Sequence, residues 1–187
     1  MSVNLRGRHF LALEELTPVQ VRYLLDLAHQ LKAEKKSGID QRRFNRKNLL
    51  MLFEMNSTRT RCSFETSASD LGMGTTYLVN SHFGTKETIE DSMNVFTAMY
   101  DLIVYRGQDH EQLKEMASIH MLPSSHNCKH KAEKELVKIL DKETADFVSK
   151  GLEVTDEVFT MYKDVIFREA ENRQHTIKAV LSACVGE

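Results

Sequence analysis

Five consecutive residues, Ser57-Thr58-Arg59-Thr60-Arg61, bring three hydroxyls and two guanidinium groups together between an apolar run and an amphipathic one. Hydroxyls supply neutral hydrogen-bond donors, and arginine supplies charge-assisted donors in a planar fork suited to phosphate oxygens. If a strand ends before this stretch and a helix begins in it, the first backbone N–H groups of the helix lack partners and carry the positive end of the helix dipole. Together these groups suit a small, doubly charged phosphate compound. The competing reading is a hydroxyl-capped helix start with solvated arginines.

The surrounding elements must place this turn. Asn48 to Glu54 is a short, nearly continuous apolar run, the pattern of a strand buried on both faces of a parallel sheet. Cys62 to Leu71 has the pattern of a helix stopped by Gly72 and Gly74. Upstream, Thr17-Pro18 marks a helix start. Val21, Leu24, Leu25, Ala28 and Leu31 then recur at helical spacing to about Lys35. Arg42 to Lys47 reads as a solvated basic connector. Thr75 to Val79 reads as a second strand, Glu87 to Tyr100 as a helix, and Leu102 to Tyr105 as a third strand followed by Arg106-Gly107. This alternation predicts an α/β fold with a doubly wound parallel sheet. Ligands of such sheets bind at the carboxyl ends of the strands, where both the 57–61 turn and Arg106 fall.

Beyond residue 118 the pattern is less regular. Lys129 to Lys142 reads as a charged helix, Thr155 to Phe159 as a capped helical turn, and Val165-Ile166-Phe167 as a strand fragment. Glu169 to Val185 reads as a closing helix.

Composition narrows the function classes. With 187 residues there is room for one domain with a substantial core, but not for two of full size. Lys+Arg 25 against Asp+Glu 27 gives a net charge of −2, which offers nucleic acid no basic surface. No apolar run approaches the roughly 18 residues needed to span a bilayer. The start MSVNLRGRHF lacks the apolar core of a signal peptide, and the odd set Cys62, Cys128 and Cys184 fits reduced thiols. A soluble, cytoplasmic protein without nucleic-acid or membrane partners is expected.

The segments NLRGRHFLAL, FEMNSTRTRCSFE and YDLIVYRG, and later GLEVTDEVF and EAENRQHTIKAV, resemble the ornithine carbamoyltransferases, especially the bacterial catabolic type. The resemblance implies a carbamoyl-phosphate-binding domain over residues 1–118, a remnant of the ornithine-binding domain over 119–168, and a C-terminal helix over 169–187 that packs back on the first domain. It implies a trimer or a multiple of trimers, and no cofactor. In that family the side-chain amine of ornithine attacks the carbamoyl carbon and phosphate leaves, yielding citrulline in arginine metabolism. Carried over by position, Ser57, Thr58, Arg59 and Thr60 match the phosphate-binding turn. Arg106 matches the arginine that contacts carbamoyl phosphate and polarises its carbonyl, which makes it the candidate catalytic residue. Arg173 matches a C-terminal arginine reaching the same ligand. Met121 and Leu122 match what is left of the ornithine site.

The departures from the family pattern bear on activity. Met55 stands where the family has lysine, and His82 where it has glutamine. Met121 replaces a substrate-facing cysteine, and a thioether neither ionises nor donates a hydrogen bond. The His-Pro-x-x-Gln motif, the Asp-bearing Ser-Met-Gly loop and the asparagine that holds ornithine are absent. Positioning two reactants lowers a barrier by ~7–11 kcal/mol, and one oxyanion donor by about 3–4 kcal/mol. Losing the second reactant's platform therefore leaves binding of carbamoyl phosphate or phosphate, with little or no transcarbamylation by this chain alone. Three readings follow: a degenerate carbamoyltransferase, a non-catalytic subunit that assembles with an intact relative, and a decaying gene product. His126 and His130 flank Cys128 in a spacing that a metal could use, but His120 and His126 already match the family's His-x-Leu-Pro-x-x-His pattern, so no metal site is expected, and Cys62 is read as a packing residue.

Overall fold

The computed structural model describes residues 3–79, 83, 86–107, 110–119, 124–126 and 163–186. After a 3-10 turn at Leu13–Glu15, helix α1 spans Pro18–Lys36. Its start is a capping box: the Thr17 hydroxyl accepts from the Gln20 backbone, and the Gln20 side chain accepts from the Thr17 N–H. Strand β1 (Asn48–Phe53), helix α2 (Thr58–Leu71), strand β2 (Gly74–Val79), helix α3 (Ile89–Met99) and strand β3 (Leu102–Arg106) follow. Helix α4 (His110–Ile119), the short strand β4 (Ser124–His126) and helix α5 (Lys163–Val185) complete the described elements.

The four strands are parallel in the order β2-β1-β3-β4. Side chains alternate across β1 and β3 and so feed two cores. Leu49, Met51, Phe53, Leu102 and Val104 meet Phe64, Ala68 and Leu71 of α2 and Leu181 and Cys184 of α5. On the other face Leu50, Leu52, Ile103 and Tyr105 meet Met93 of α3 and Leu113 and Met116 of α4. Helices thus cover both faces, as a doubly wound sheet requires. Helix α1 packs on the outer side of α5, where Ala28 and Leu31 meet Ala179 and Leu24 meets Ala183. Burial of Cys184 pushes its thiol up to about 11, so it behaves as a small apolar group.

The sequence expectations depart from the structure at several points. Val165 to Phe167 is not a strand but part of α5, which begins at Lys163. The local β-branched preference is overridden because no glycine or proline interrupts the helix from there to Val185. Strand β4 is too short to carry a periodic signal and is defined only by its ladder to β3, Ile103↔Ser124 to Tyr105↔His126. Cys62 is exposed rather than packed. The helical readings over 129–142 and 155–159, and His82, His120, Met121, Leu122, Cys128 and His130, lie outside the described residues.

A polar network fixes α5 in place. The fully buried Lys178 ammonium donates to Gln41 Oε1 at 2.7 Å and to Asp70 Oδ2 at 2.5 Å. Lys35 reaches the same Asp70 oxygen at 2.6 Å. Gln41 in turn donates to the Leu31 carbonyl at 2.7 Å and to Glu34 at 3.1 Å, and Glu34 pairs with Arg43 at 2.8 Å. One network therefore ties α1, the connector, α2 and α5 together. Burial works against the Asp70 carboxylate, but hydrogen bonds from Lys178 and Lys35 outweigh it and hold its pKa below the ordinary value.

Candidate anion site at the strand ends

The chain leaves β1 toward β2 on one side and returns through α3 to β3 on the other, so the carboxyl ends of β1 and β3 flank the switch point of the sheet. Phe53, the last residue of β1, is paired with Arg106, the last of β3. Helix α2 starts at Thr58, four residues earlier than periodicity indicates, so Thr58, Arg59 and Thr60 form its first turn. Ser57 is the N-cap residue by position, yet its hydroxyl makes no capping bond. The simple capped-helix reading of this turn is thereby corrected.

The Ser57 hydroxyl is used differently. Arg106 Nη1 donates to Ser57 Oγ at 2.8 Å and to Thr60 Oγ1 at 2.9 Å. Both hydroxyls therefore act as acceptors toward arginine and keep their own protons for another acceptor. Thr60 is 2% exposed, which fixes the geometry. The Arg106 Nε is buried and has no hydrogen-bond partner among the described residues. An orphaned charged donor costs more than a neutral one, and an anion in the adjoining cavity would supply the acceptor. Burial lowers the Arg106 pKa, and the like charge of Arg173 lowers it further, only partly opposed by Tyr77. Arg173 projects from α5 into the same cavity as Arg106 and Thr60. Among the described residues no carboxylate pairs with Arg59, Arg106 or Arg173, and Arg59 lies exposed in the first turn of α2.

Arg61 does not join this group. Its guanidinium lies 4.0 Å from the centre of the Tyr77 ring and 2.9 Å from Glu65, one helical turn on. The second arginine of the 57–61 run is thus spent on the flank of the sheet. Below Arg106, the buried Tyr105 hydroxyl lies 2.6 Å from Glu54 Oε1 and 2.5 Å from Gln112 Oε1. A Cβ at position 107 would stand 1.9 Å from that hydroxyl, so only glycine leaves room for the contact between the two strand ends. Neither Tyr105 nor Lys178 was singled out by sequence. Lys178 does carry a signal, a lysine three residues after His175 and three before Leu181 on the apolar side of the closing helix.

A cavity of about 330 Å³ opens beside the arginines, walled by the Phe10 segment, α1, α2 and α5. Among the described residues no cluster of histidine, cysteine and carboxylate side chains has the form of a metal site. No described helix is long and apolar enough to cross a membrane.

A doubly wound α/β protein with a cluster of arginines and hydroxyls at its switch point is what fold and geometry define. Residues 8–131 match the family model of the carbamoyl-P binding domain of aspartate/ornithine carbamoyltransferase, and residues 81–184 match its Asp/Orn binding domain. The chain belongs to the aspartate/ornithine carbamoyltransferase family. It is similar to the catabolic ornithine carbamoyltransferase of Clostridium perfringens, 50% identical over 117 residues that cover 63% of this chain and 35% of that relative. The catabolic enzyme of Treponema denticola is 49% identical over 122 residues, 64% of this chain and 36% of the relative. Ornithine carbamoyltransferase from Pyrococcus furiosus superposes with a TM-score of 0.65 at 32% identity, covering 67% of this chain and 41% of that one. The anabolic enzyme from Campylobacter jejuni, at 20% identity, shares the fold with a TM-score of 0.73 over 93% of this chain and 98% of that one. The aligned part of the chain thus spans little more than a third of the curated relatives' length.

Proposed function

We propose that this chain is a cytoplasmic ornithine carbamoyltransferase-like protein that grips the phosphate of carbamoyl phosphate, or free phosphate, and performs little or no transcarbamylation by itself. The observation that carries this reading is Arg106, which bridges Ser57 and Thr60 while its buried Nε faces no acceptor among the described residues. In this reading the phosphate oxygens accept from the free N–H groups of the first α2 turn, from the Ser57, Thr58 and Thr60 hydroxyls, and from Arg59, Arg106 and Arg173. Such donors, aimed at a leaving phosphate, stabilise the charge that develops on it. The degenerate character rests on Met55, His82 and Met121 and on the missing ornithine-binding motifs; Met121 and Leu122 are the proposed remnant of that second site. Millimolar carbamoyl phosphate should raise the unfolding temperature, and Arg59→Ala should abolish the rise. No rise with the unmodified chain refutes phosphate binding, and citrulline formed from carbamoyl phosphate and ornithine refutes the loss of activity.

A second reading, assembly into a trimer or with an intact relative, is favoured by Val95 and Met99. These two apolar residues lie one turn apart on α3 and are 48% and 63% exposed. Mass measurement of the chain alone and mixed with an intact carbamoyltransferase tests it. A single monomeric mass in both samples would count against any assembly.

A further inference from the structure

The anion site does not end at its arginines. Arg106, Arg173 and Thr60 cluster in the wall of the 330 Å³ cavity, and apart from Tyr105 and Thr176 the remaining wall is hydrocarbon, with Phe10, Leu24, Phe64, Ile177 and Val180 prominent. Leu13 and Leu25 belong to the same wall and stay 63% and 44% exposed, so the apolar surface runs out to solvent. An apolar cavity of about 150 Å³ already takes a benzene ring. The space here is about twice that, and it falls in the range of small-molecule pockets with few polar groups set in apolar walls. Carbamoyl phosphate has no hydrocarbon to place there, and the two guanidinium groups in the wall exclude a wholly apolar guest.

We infer that the cavity is a binding site for a small amphiphilic anion, a phosphate monoester or acyl phosphate whose aliphatic tail of about six carbons lies along α1 and α5 while its head meets Arg106 and Arg173. The inference rests on the anion-binding reading above and adds the tail. The head replaces the acceptor that Arg106 Nε lacks and relieves the repulsion between Arg106 and Arg173. The tail removes the surfaces of Phe10, Leu24 and Val180 from water. Each buried methylene is worth about a fourfold gain in affinity.

The test is a calorimetric and thermal-shift series on the full chain with inorganic phosphate, methyl, butyl, hexyl and dodecyl phosphate, and hexanol. Affinity is expected to rise at least about tenfold from methyl to hexyl phosphate and then to level off, with hexanol binding far more weakly. Val21→Trp, which fills the cavity from α1, and Leu25→Lys, which charges its exposed rim without touching the core, should each flatten the series. Both should leave the inorganic phosphate shift in place. Phosphate binding with no dependence on tail length overturns this inference alone. A rise that continues through dodecyl phosphate, or hexanol binding as well as hexyl phosphate, overturns it as unspecific adsorption. If neither phosphate nor any alkyl phosphate binds, both this inference and the anion-binding reading fall.

Discussion

Two regions of the molecule bury positive charge, and they treat it in opposite ways. Between α1, α2 and α5, Lys178 is wholly enclosed and meets Asp70 and Gln41, with Lys35 sharing the same carboxylate. At the strand ends, Arg106 is partly buried, faces Arg173, and has only the hydroxyls of Ser57 and Thr60 as partners among the described residues. The first region is electrostatically closed by the chain itself. The second is short of one anion. Proteins satisfy buried charge internally where the charge serves structure, because a charge left alone costs several kcal/mol. On the proposed reading, the open deficit in a cleft at the switch point is met by the charge that a bound phosphate brings.

The contrast can be broken most forcefully at Asp70. Asp70→Asn should cost about 3 kcal/mol in denaturant unfolding, because it strands the Lys178 ammonium in the core. Lys178→Met, which removes the charge and fills the same space, should cost only about 1 kcal/mol, chiefly for the unpaired Gln41. Equal costs for the two variants would mean that the network does not act as an ion pair.

The strand-end site should give the reverse result. Arg106→Met is expected to leave the ligand-free protein as stable as before, or more stable by up to about 1 kcal/mol, since it removes both a buried orphan donor and a like-charge neighbour of Arg173. The same variant should lose the stabilisation that phosphate supplies, about 2.7 kcal/mol at a hundredfold excess over Kd. A ligand-free loss of several kcal/mol would show that Arg106 is structural, like Lys178.

Acidity separates the regions less sharply. His175 on α5 is buried, and its pKa is lowered first by that burial and then by Lys178 and Lys32, with Glu171 opposing. The unfolded chain takes up a proton near the ordinary value of 6.5 while the folded chain does not, so stability should fall as pH drops below about 6.5. Asp70 adds a second loss only below its ordinary value of 3.8, as pH falls toward its lowered folded value. Unfolding curves at pH 7.5 and 5.5 should differ for the unmodified chain and converge for His175→Gln. The smallest effect is expected at Arg61: Arg61→Ala should cost about 0.5 kcal/mol or less and leave phosphate affinity unchanged, because Arg61 serves Glu65 and Tyr77 at the surface.

Much of the fold was legible because it repeats. The capping box at Thr17, the apolar run of β1 and the stop at Gly72 are local signals, and each element lies within a few residues of its expected place. Strand β4 and the first turn of α5 were not legible. The former is only three residues long, and the latter has a β-like composition that a continuous helix overrides. The membership of the anion site was half legible in the same way. Ser57, Thr60 and Arg106 carry the residue types for phosphate, and parallel α/β order alone puts them at one edge of the sheet.

The sequence by itself determined the helix–strand alternation, the family and the residue types at the strand ends, because these depend on periodicity and short contiguous motifs. Tertiary structure decided how each cation is used. It turned Arg61 aside to Tyr77, aimed Arg106 at the Ser57 and Thr60 hydroxyls, and buried Lys178 against Asp70, 108 residues away along the chain. It also placed an apolar cavity beside the arginines, from segments as distant as Phe10 and Val180. The physical reason is that the partner of a charge is set by whichever groups packing brings within hydrogen-bond reach, and no local pattern in the sequence records that distance.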